Sequence, residues 1–422
     1  MGWKWDWHII PGFSMAYKPC EREMLIDEAM RKFREVFGYY PKTVASWLID
    51  TYTINYLAEN YDISAFAVCR DQTSTDAYTL IGGYFNQAYY PSKNNMFTPA
   101  QTDEMRLNVP MFRLLGPCPI HNYEDKKYLS DEIKKNHLCC TLEPVWMPGY
   151  VPEYVDGFLR TFYKNEDLGF SYAHFGQENS FGSKCLPALR MQFEKLLDLK
   201  EVNVMKMSDT GEWFKKTFPG KTPATSVVAL TNWDSEDVQA SYYDCQKYTS
   251  NIMRYEDRVF IRSLFLFDDD NKDMYITDTC TTFEAIYENL PIIDTLRNSA
   301  EEKRNCGLVI DTEASEFDAV KEGDGVLKIY WKDKSVIYDE NKITVVSDKL
   351  CFYKGTMNVT VEGNTLIYNC KDIDYSLRIE NARVFVLECG DIEIIPKDGK
   401  CELYPEKYLK KDKKCESEEL RE

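Results

Sequence analysis

The sequence lacks several features that would assign it quickly to a class. It has no apolar run of the ~18–20 residues that a membrane-spanning helix needs, so we expect no membrane span. The start, MGWKWDWHIIPGFSMAY, lacks the basic segment followed by an apolar stretch that marks a signal peptide, which predicts a cytoplasmic protein. Although the chain has 14 cysteines, it has no Cys-x-x-Cys pair, so we expect free thiols rather than a zinc site.

Basic residues and histidine are also scarce. The 51 lysines and arginines are outnumbered by 69 aspartates and glutamates, and the resulting net charge of -18 repels a phosphate backbone. We therefore expect no nucleic-acid partner. The four histidines, His8, His121, His137 and His174, are far apart, so none form the close pair that would help to hold a divalent ion. We expect neither a metal nor a cofactor, and the oligomeric state stays open.

Residues 1–223 alternate between short apolar runs and amphipathic segments. Helices are predicted where apolar residues recur at steps of three and four, at Cys20 to Gly38, Tyr52 to Tyr61, Glu153 to Asn165 and Leu186 to Leu199. Strands are predicted at Thr43 to Ile49, Ala65 to Cys69, Met111 to Leu115, Leu138 to Leu142, Gly169 to Phe175 and Asn203 to Met207. The alternation indicates an α/β domain with a parallel sheet. A closed barrel has seven or eight strands and only six are clearly predicted here, so either the sheet is open or upstream units are missing; we expect a partial (β/α) barrel that lacks its N-terminal strands.

The pattern changes after Thr222. Helical periodicity gives way to short β-branched and aromatic runs, such as Val259 to Phe267 and Val326 to Trp331, between glycine, asparagine and aspartate turns. This predicts an all-β domain of sandwich type at residues 224–405. Residues 406–422 are charged and nearly free of large apolar side chains, so we expect a frayed tail there.

The predicted strands of residues 1–223 are followed by polar side chains. These are Asp50, the run Arg70-Asp71-Gln72, Glu143, and the run Gln177-Glu178-Asn179. In α/β barrels the chemistry gathers at the carboxyl ends of the strands. Each residue taken singly has an ordinary alternative as a turn or a helix cap, but together they predict a site at this edge.

A resemblance to a known family rests on the segments WDWHIIPGFSMAY, YYPKTVASWLIDTYTINYLAENYDI, CRDQTSTDAYTLIGGYFNQAYYPSKNNMFTPAQ, FRLLGPCPI, TLEPVW and GQENSFG. Over roughly residues 1–300 the chain resembles a family of uncharacterised bacterial proteins, frequent in gut anaerobes, that look like relatives of glycoside hydrolase and polysaccharide deacetylase barrels. The resemblance implies a barrel fold and a carbohydrate ligand. Because members generally carry additional N-terminal sequence, it also implies that upstream units are missing from this chain.

Two glutamates are candidates for glycoside hydrolysis, which needs one protonated carboxyl as acid and one ionised carboxyl as nucleophile or base. Glu143 leaves an apolar strand near Trp146, and such surroundings favour the protonated form that a general acid requires. Glu178 lies between Gln177 and Asn179, whose amides can hydrogen-bond a carboxylate and keep it ionised. The alternatives are a structural carboxylate for Glu143 and a loop ion pair for Glu178.

Other charged residues are candidates for the same site. Asp71 is predicted to be an orienting carboxylate of the catalytic set, held by Arg70 or Arg113. Asp50 and Asp76 are predicted to contact the ligand, as is Gln72. For the three aspartates, a local ion pair or turn is the alternative.

The segment Tyr84 to Gln101 is too long and too polar for an ordinary connection, and long loops of compact domains tend to be functional. Tyrosine rings offer flat faces to sugars, and side-chain amides meet sugar hydroxyls. We therefore predict ligand contacts from Tyr89, Tyr90, Asn94, Asn95 and Gln101. The alternative is a self-packed loop that uses the same tyrosines as its core.

The leading functional hypothesis is glycan hydrolysis by paired carboxylates. The first alternative is a non-catalytic carbohydrate-binding or scaffold protein. The second is a metal-dependent polysaccharide deacetylase, although the chain has no TFDD-like segment and no histidine pair one helical turn apart. His8, close to three tryptophans, is interpreted either as a remnant of such a site or as a packed structural histidine.

Overall fold

The computed structural model describes residues 12–69, 72–75, 78–114, 118–121, 142–143, 150–163, 168–176, 183–233, 235–295, 306–371 and 373–409, with the backbone alone at 72–75 and 78–79. Within these residues the α-helices are α1 Pro19–Phe37, α2 Thr51–Asn60, α3 Pro152–Phe162, α4 Leu186–Asp198 and α5 Met207–Thr217. The first strands are β1 Thr43–Ser46, β2 Ala65–Cys69, β3 Gln72–Thr75, β4 Tyr78–Leu80 and β5 Met111–Leu114.

The strands of the all-β part follow in chain order. They are β6 Thr225–Ala229, β7 Val238–Asp244, β8 Tyr248–Tyr255, β9 Arg258–Leu266, β10 Ala285–Ile286, β11 Leu290–Asp294, β12 Gly307–Asp311, β13 Asp318–Gly323, β14 Val326–Trp331, β15 Lys334–Tyr338, β16 Ile343–Val346, β17 Leu350–Tyr353, β18 Thr360–Glu362, β19 Thr365–Cys370, β20 Ile373–Glu380, β21 Ala382–Val386, β22 Ile392–Pro396 and β23 Lys400–Lys407. The last strand extends two residues into the region expected to be a tail.

Local sequence signals set the ends of helix α1. Pro19 occupies the first helical position, where a missing backbone N–H costs nothing, and the Glu21 side chain accepts a hydrogen bond from Lys18 N at 2.8 Å. Gly38 ends the helix in the left-handed conformation, with φ at 82°, which glycine adopts without strain. The predicted helix at Cys20 to Gly38 is therefore correct to within one residue.

The α/β part contains a three-stranded parallel sheet in the order β1-β2-β5, with Val68 paired to Arg113 in register. All five residues of β2 are buried because both faces of the sheet are covered. Phe66 packs in one cluster with Ile54 and Leu57 of helix α2, and Ala65 packs in another with Phe214 of helix α5. The described residues add no fourth strand to this parallel sheet, so an α/β part is confirmed while the barrel stays a prediction.

Two of the predicted strands do not form at their described positions. Asn203 to Lys206 is irregular, with Val204 82% exposed, and helix α5 begins at Met207, so this apolar run lies on the surface instead of in a sheet. Residues 169–175 form no ladder either, although Phe170 and Tyr172 pack against the cluster of Phe112. Both runs have the apolar content of a strand, but among the described residues neither has a strand beside it to supply hydrogen bonds.

Most of the later strands form two large antiparallel sheets. One has nine strands in the order β21-β22-β17-β12-β9-β8-β7-β6, with β11 also paired to β9, and the other has eight in the order β13-β14-β15-β16-β23-β20-β19-β18. Side chains of both sheets, including Ile261 and Val336, belong to one buried apolar cluster. The two sheets therefore pack face to face.

Over strands β6 to β9 the nine-stranded sheet is buried on both faces. Alternate residues of its strands, such as Val228 and Ile261, face the eight-stranded sheet, while Val227 and Phe260 share a cluster with Phe158 of helix α3. Strands β6, β7 and β8 are consequently buried at almost every position, which hides the alternation of polar and apolar residues expected of a half-exposed strand.

Residues 267–287 return from the all-β part to the α/β part. Strand β10 pairs in parallel with β4, and Phe267, Tyr275 and Tyr287 belong to the same cluster as Ile54 of helix α2. The two parts are thus joined by packing as well as by the chain connection near residue 223.

Helix α5 crosses strand β2 at a glycine. A Cβ atom on Gly211 would lie 2.3 Å from the carbonyl oxygen of Ser64 and 2.9 Å from Cβ of Ala65. Alanine is normally favoured over glycine in a helix by about 1 kcal/mol, but here the clash with backbone reverses the sign. We expect Gly211→Ala to lower the free energy of unfolding by about 1–3 kcal/mol in urea denaturation. The exposed Lys216→Ala on the same helix serves as control, and unchanged stability of Gly211→Ala would contradict this close crossing.

Candidate functional site

A layer of buried polar residues lies between the end of strand β5 and the face of the nine-stranded sheet that points away from the eight-stranded sheet. Its members are between 0% and 4% exposed and comprise Asn86, Gln87, Arg113, Glu143, Asp244, Asn251 and Arg262. We call this set the polar layer. Burying charges and amides costs several kcal/mol unless each finds a partner, so a concentration of them marks a functional site more often than a structural core.

The segment that follows strand β4 connects the two sides of the polar layer. The Phe85 ring stacks on Tyr242 of strand β7 with centroids 3.7 Å apart, and Phe85 N donates to Asp244 Oδ1 at 2.9 Å. Four residues later, Tyr89 pairs in antiparallel fashion with Met111 at the start of β5. Asn86 and Gln87 therefore lie between the antiparallel sheet and the parallel sheet. If the antiparallel pairing of Tyr89 with Met111 continued by two residues, Gln87 would lie opposite Arg113.

Residues 170–176 form another wall of the polar layer. The Asn86 side-chain amide donates to Tyr172 O at 3.2 Å, and the Tyr172 ring lies 5.6 Å from that of Phe112 in β5. Ser171 is exposed and His174 is partly exposed, so the layer meets solvent along this segment. Burial lowers the pKa of His174, which keeps its ring neutral at pH 7.

Glu143 enters the polar layer from the side of helices α3 and α4. Leu142 belongs to the same apolar cluster as Phe85 and Phe158, and its carbonyl oxygen accepts a hydrogen bond from the Gln192 side chain at 2.6 Å. The Glu143 carboxylate is 4% exposed and takes part in polar interactions. Arg113 is also engaged, in strand β5 beside Val68.

Several predicted site residues lie outside the part of the chain that the structure describes. They are Arg70, Asp71, Asp76, Trp146, Gln177, Glu178 and Asn179, while Gln72 is described by its backbone alone, as the first residue of strand β3. Their assignments stay predictions.

The two tyrosines predicted to contact ligand are in the protein core. Tyr89 stacks on Tyr84 with ring centroids 5.1 Å apart and donates through its hydroxyl to Met96 O at 2.6 Å. The Tyr90 hydroxyl donates to Phe218 O at 3.0 Å, and its ring packs on Phe214. Both rings are 2% exposed or less, which is the arrangement of the self-packed alternative.

The amides of the same loop bind the protein's own backbone. Asn94 Nδ2 donates to Asp269 O and Asn95 Nδ2 donates to Asn271 O, each at 2.9 Å. The Gln101 side chain donates to Gln246 O, and its backbone N donates to Asp269 Oδ2 at 3.0 Å. These contacts attach the loop to Asp269, Asn271 and Gln246, so in this structure the three side chains hold two parts of the protein together.

Asp50 is the N-cap of helix α2 and part of a buried ion pair. Its carboxylate accepts from Thr53 N at 3.0 Å and lies 2.9 Å from the Arg22 guanidinium, with both side chains fully buried. Arg22 also donates to Tyr17 O at 2.7 Å, to Asp278 O at 2.7 Å and to Tyr275 O. Asp50 thus has the helix-cap role that was the alternative to ligand contact. The ion pair of Arg22 with Asp50 joins helix α1 to residues 275–278.

Next to this pair, Asp273 accepts hydrogen bonds from Thr51 N, Thr51 Oγ1 and Tyr275 N at 3.2, 2.6 and 2.9 Å. Burial, with a smaller contribution from the charge of Asp50, raises the pKa of Asp273 to about 6. Since the folded state holds this proton more tightly than the unfolded chain, the stabilisation is complete below about pH 4 and is lost as the pH rises through 6.

We therefore expect the Asp273 carboxyl to contribute about 2 kcal/mol less to stability at pH 7.5 than at pH 4.5, from the shift of its pKa to about 6. Urea denaturation of the wild type and of Asp273→Asn between pH 4.5 and 7.5 measures this as the difference between the two pH profiles. Asparagine cannot titrate, so its profile lacks the pH dependence of Asp273. Its NH2 group faces a hydrogen-bond donor, which lowers the stability of the variant by a constant amount at every pH. Parallel profiles would contradict the raised pKa.

A concavity with a volume of about 480 Å³ lies at turns of the eight-stranded sheet and is lined by Asp324, Gly325, Asp339, Glu340, Asn341, Lys342 and Tyr404. It is open to solvent, and two of its charges are already paired, Glu340 with Lys221 and Lys342 with Glu402. Because the polar layer concentrates buried polar groups, we place the candidate site there.

Sequence reasoning missed several residues of the polar layer. Asn86 and Gln87 lie in the segment Tyr84 to Gln101, where the sequence predicts ligand contacts from other residues. Asp244 and Arg262 belong to strands of the all-β part. Arg262 could have been found from the sequence, because it is a charged residue inside the apolar run Phe260 to Leu266. Burying a charge in a strand costs free energy, so such a residue indicates a specific role.

Together these observations define a protein with an α/β part built on a parallel sheet, followed by two large antiparallel sheets, and with a buried polar layer between the two parts. Among solved structures it is similar to a protein from Parabacteroides distasonis that is described as a candidate glycoside hydrolase/deacetylase, with a TM-score of 0.50 and 13% identity over 69% of this chain and 72% of that one. At this identity the likeness concerns the fold alone.

No protein-family model and no curated protein matches the sequence. Across the described residues, no helix is both long and apolar enough to cross a membrane, and no three histidine, cysteine or acidic side chains are grouped as metal ligands.

Proposed function

We propose that the protein hydrolyses glycosidic bonds of a poly- or oligosaccharide at the polar layer. The observation that carries the proposal is Glu143, a carboxylate that is 4% exposed and directly follows Leu142, which shares an apolar cluster with Phe85, the residue before Asn86 and Gln87. A buried carboxyl in such a layer suits proton transfer to a leaving oxygen, and the neighbouring amides suit sugar hydroxyls. The fold similarity to a candidate glycoside hydrolase/deacetylase supports the same class.

In this proposal Glu143 acts as general acid, and Glu178 supplies the second carboxylate as nucleophile or base. Their separation would fix the stereochemical outcome, about 5–5.5 Å for retention and 6.5–9.5 Å for inversion. Asp71, Arg70 and Arg113 would orient this pair by charge. The rival proposal keeps the same layer as a carbohydrate-binding site without catalysis, because buried amides bind hydroxyls whether or not a bond is cleaved.

The test is a screen of the whole chain against neutral and acidic polysaccharides and their oligosaccharides. Release of reducing ends reports hydrolysis, and isothermal titration with the same oligosaccharides reports binding. We expect hydrolysis of at least one glycan. Binding without cleavage would favour the carbohydrate-binding alternative, and neither binding nor cleavage of any glycan in the panel would contradict the proposal.

A further inference from the structure

Gln87 is a fully buried amide whose hydrogen-bonding groups are both unused. Its side chain is 0% exposed, and among the described residues neither Nε2 nor Oε1 has a hydrogen-bond partner. The other fully buried or nearly buried glutamines differ, since Gln192 donates to Leu142 O and Gln239 donates to Leu230 O and Phe317 O. A buried amide without partners destabilises a fold, so its presence calls for an explanation.

Other unused polar atoms occur around Gln87. Within the described residues, Asn86 Oδ1, Tyr172 OH and His174 Nδ1 are buried atoms that lack a hydrogen-bond partner. Asn86 adjoins Gln87 in the chain and is bonded to Tyr172 O, while His174 is two residues further along the wall that meets solvent. The unused donors and acceptors thus belong to two segments, residues 86–87 and 172–174, that the hydrogen bond from Asn86 to Tyr172 O joins.

We propose that Gln87 is a ligand-recognition residue, and that its amide binds two adjacent hydroxyl groups of a neutral sugar ring. The amide oxygen accepts from one hydroxyl while the amide N–H donates to the other, and a hydroxyl can play either part. Neutral His174 and Asn86 Oδ1 offer further contacts to the same ring. This inference rests on the proposed function, because it names the chemical class of ligand for the same site.

The test compares Gln87→Met with Gln239→Met as a matched control. Methionine keeps the length of the side chain and removes its hydrogen bonds. Because the Gln87 amide has no partner in the part of the chain that the structure describes, Gln87→Met should raise the melting temperature by about 1–3 °C. Gln239→Met removes satisfied hydrogen bonds in strand β7 and should lower the melting temperature. Binding of cello-, malto-, xylo- and N-acetylchito-oligosaccharides is measured by isothermal titration.

We expect Gln87→Met to weaken binding of the best of these oligosaccharides at least tenfold, and Gln239→Met to leave it unchanged. A variant that melts lower and binds normally would overturn the inference and leave the proposed function intact, because Gln87 would then have only a structural role. Wild-type protein that binds none of the four neutral series but binds an acidic glycan would overturn the neutral-sugar assignment alone. If the wild type binds no glycan at all, both the inference and the proposed function are contradicted.

Discussion

Replacing Arg22 by methionine should lower the free energy of unfolding by about 3–5 kcal/mol, the usual cost of removing one partner from a buried ion pair. The guanidinium is completely buried, and its loss leaves the Asp50 carboxylate without its 2.9 Å counter-charge. It also removes the donors to the carbonyl oxygens of Tyr17, Tyr275 and Asp278, two of which belong to the segment that returns from the all-β part.

The measurement is urea denaturation followed by both circular dichroism and tyrosine or tryptophan fluorescence. Arg31→Met is the matched control, because Arg31 lies on the same helix but forms only surface ion pairs with Glu28 and Glu35, whose removal should change stability by less than about 1 kcal/mol. If both variants lose the same small amount, Arg22 does not hold helix α1 to residues 275–278 as the structure indicates.

If the proposed function is correct, Glu143→Gln should reduce glycan hydrolysis by about 10²- to 10⁴-fold, the range that a positioned general acid contributes. Glutamine keeps the shape of the side chain but cannot give up a proton to the leaving oxygen. We expect binding of the same oligosaccharide to change much less than the rate, because the amide can still form hydrogen bonds with hydroxyls.

Glu194→Gln on helix α4 controls for the loss of a carboxylate, since Glu194 is exposed and pairs with Arg190 on the surface. The melting temperature of Glu143→Gln must stay close to that of the wild type for the loss of rate to be chemical. A folded Glu143→Gln protein with full hydrolytic rate would show that another residue donates the proton, and the assignment of Glu143 would be wrong.

The helices show what local pattern can predict. Those at Cys20 to Gly38, Tyr52 to Tyr61 and Leu186 to Leu199 begin and end within about a residue of the observed α1, α2 and α4, because the periodicity and the capping residues act within a few positions of the chain. Strands β2 and β9 were placed similarly well. The change from an α/β pattern to an antiparallel pattern near residue 223 also appears in the structure, where β6 begins at Thr225.

Partners distant in sequence set the limits of that prediction. The strand-like run near Val204 has no neighbouring strand among the described residues and remains on the surface. Nor does local sequence show that residues 267–287 return to pack against helix α2. The secondary-structure pattern changes near residue 223, but packing between the two parts extends beyond that point. Hydrogen-bonded ladders depend on two segments at once, whereas amphipathic periodicity belongs to one.

The loop from Tyr84 to Gln101 shows the same limit for function. A tyrosine that could stack on a sugar can equally stack on another tyrosine, as Tyr89 does on Tyr84, and the Asn95 amide that could meet a hydroxyl instead meets a backbone carbonyl. Residue type alone cannot distinguish these uses. Gln87 has the same chemistry and lies in the same loop, but its amide has no hydrogen-bond partner within the described ranges of the chain.

By itself, the sequence determined the positions of the main helices, the order of an α/β part and an all-β part, and the polar residues that follow the predicted strands. Each of these depends only on the spacing and composition of residues that are close in the chain. Only the tertiary structure decided which of those polar groups are satisfied by the protein, as Asp50 is by Arg22 and Thr53, and which are buried in the polar layer with Glu143. The physical reason is that burial and hydrogen-bond partners are properties of the packed chain, set by segments that lie far apart in sequence.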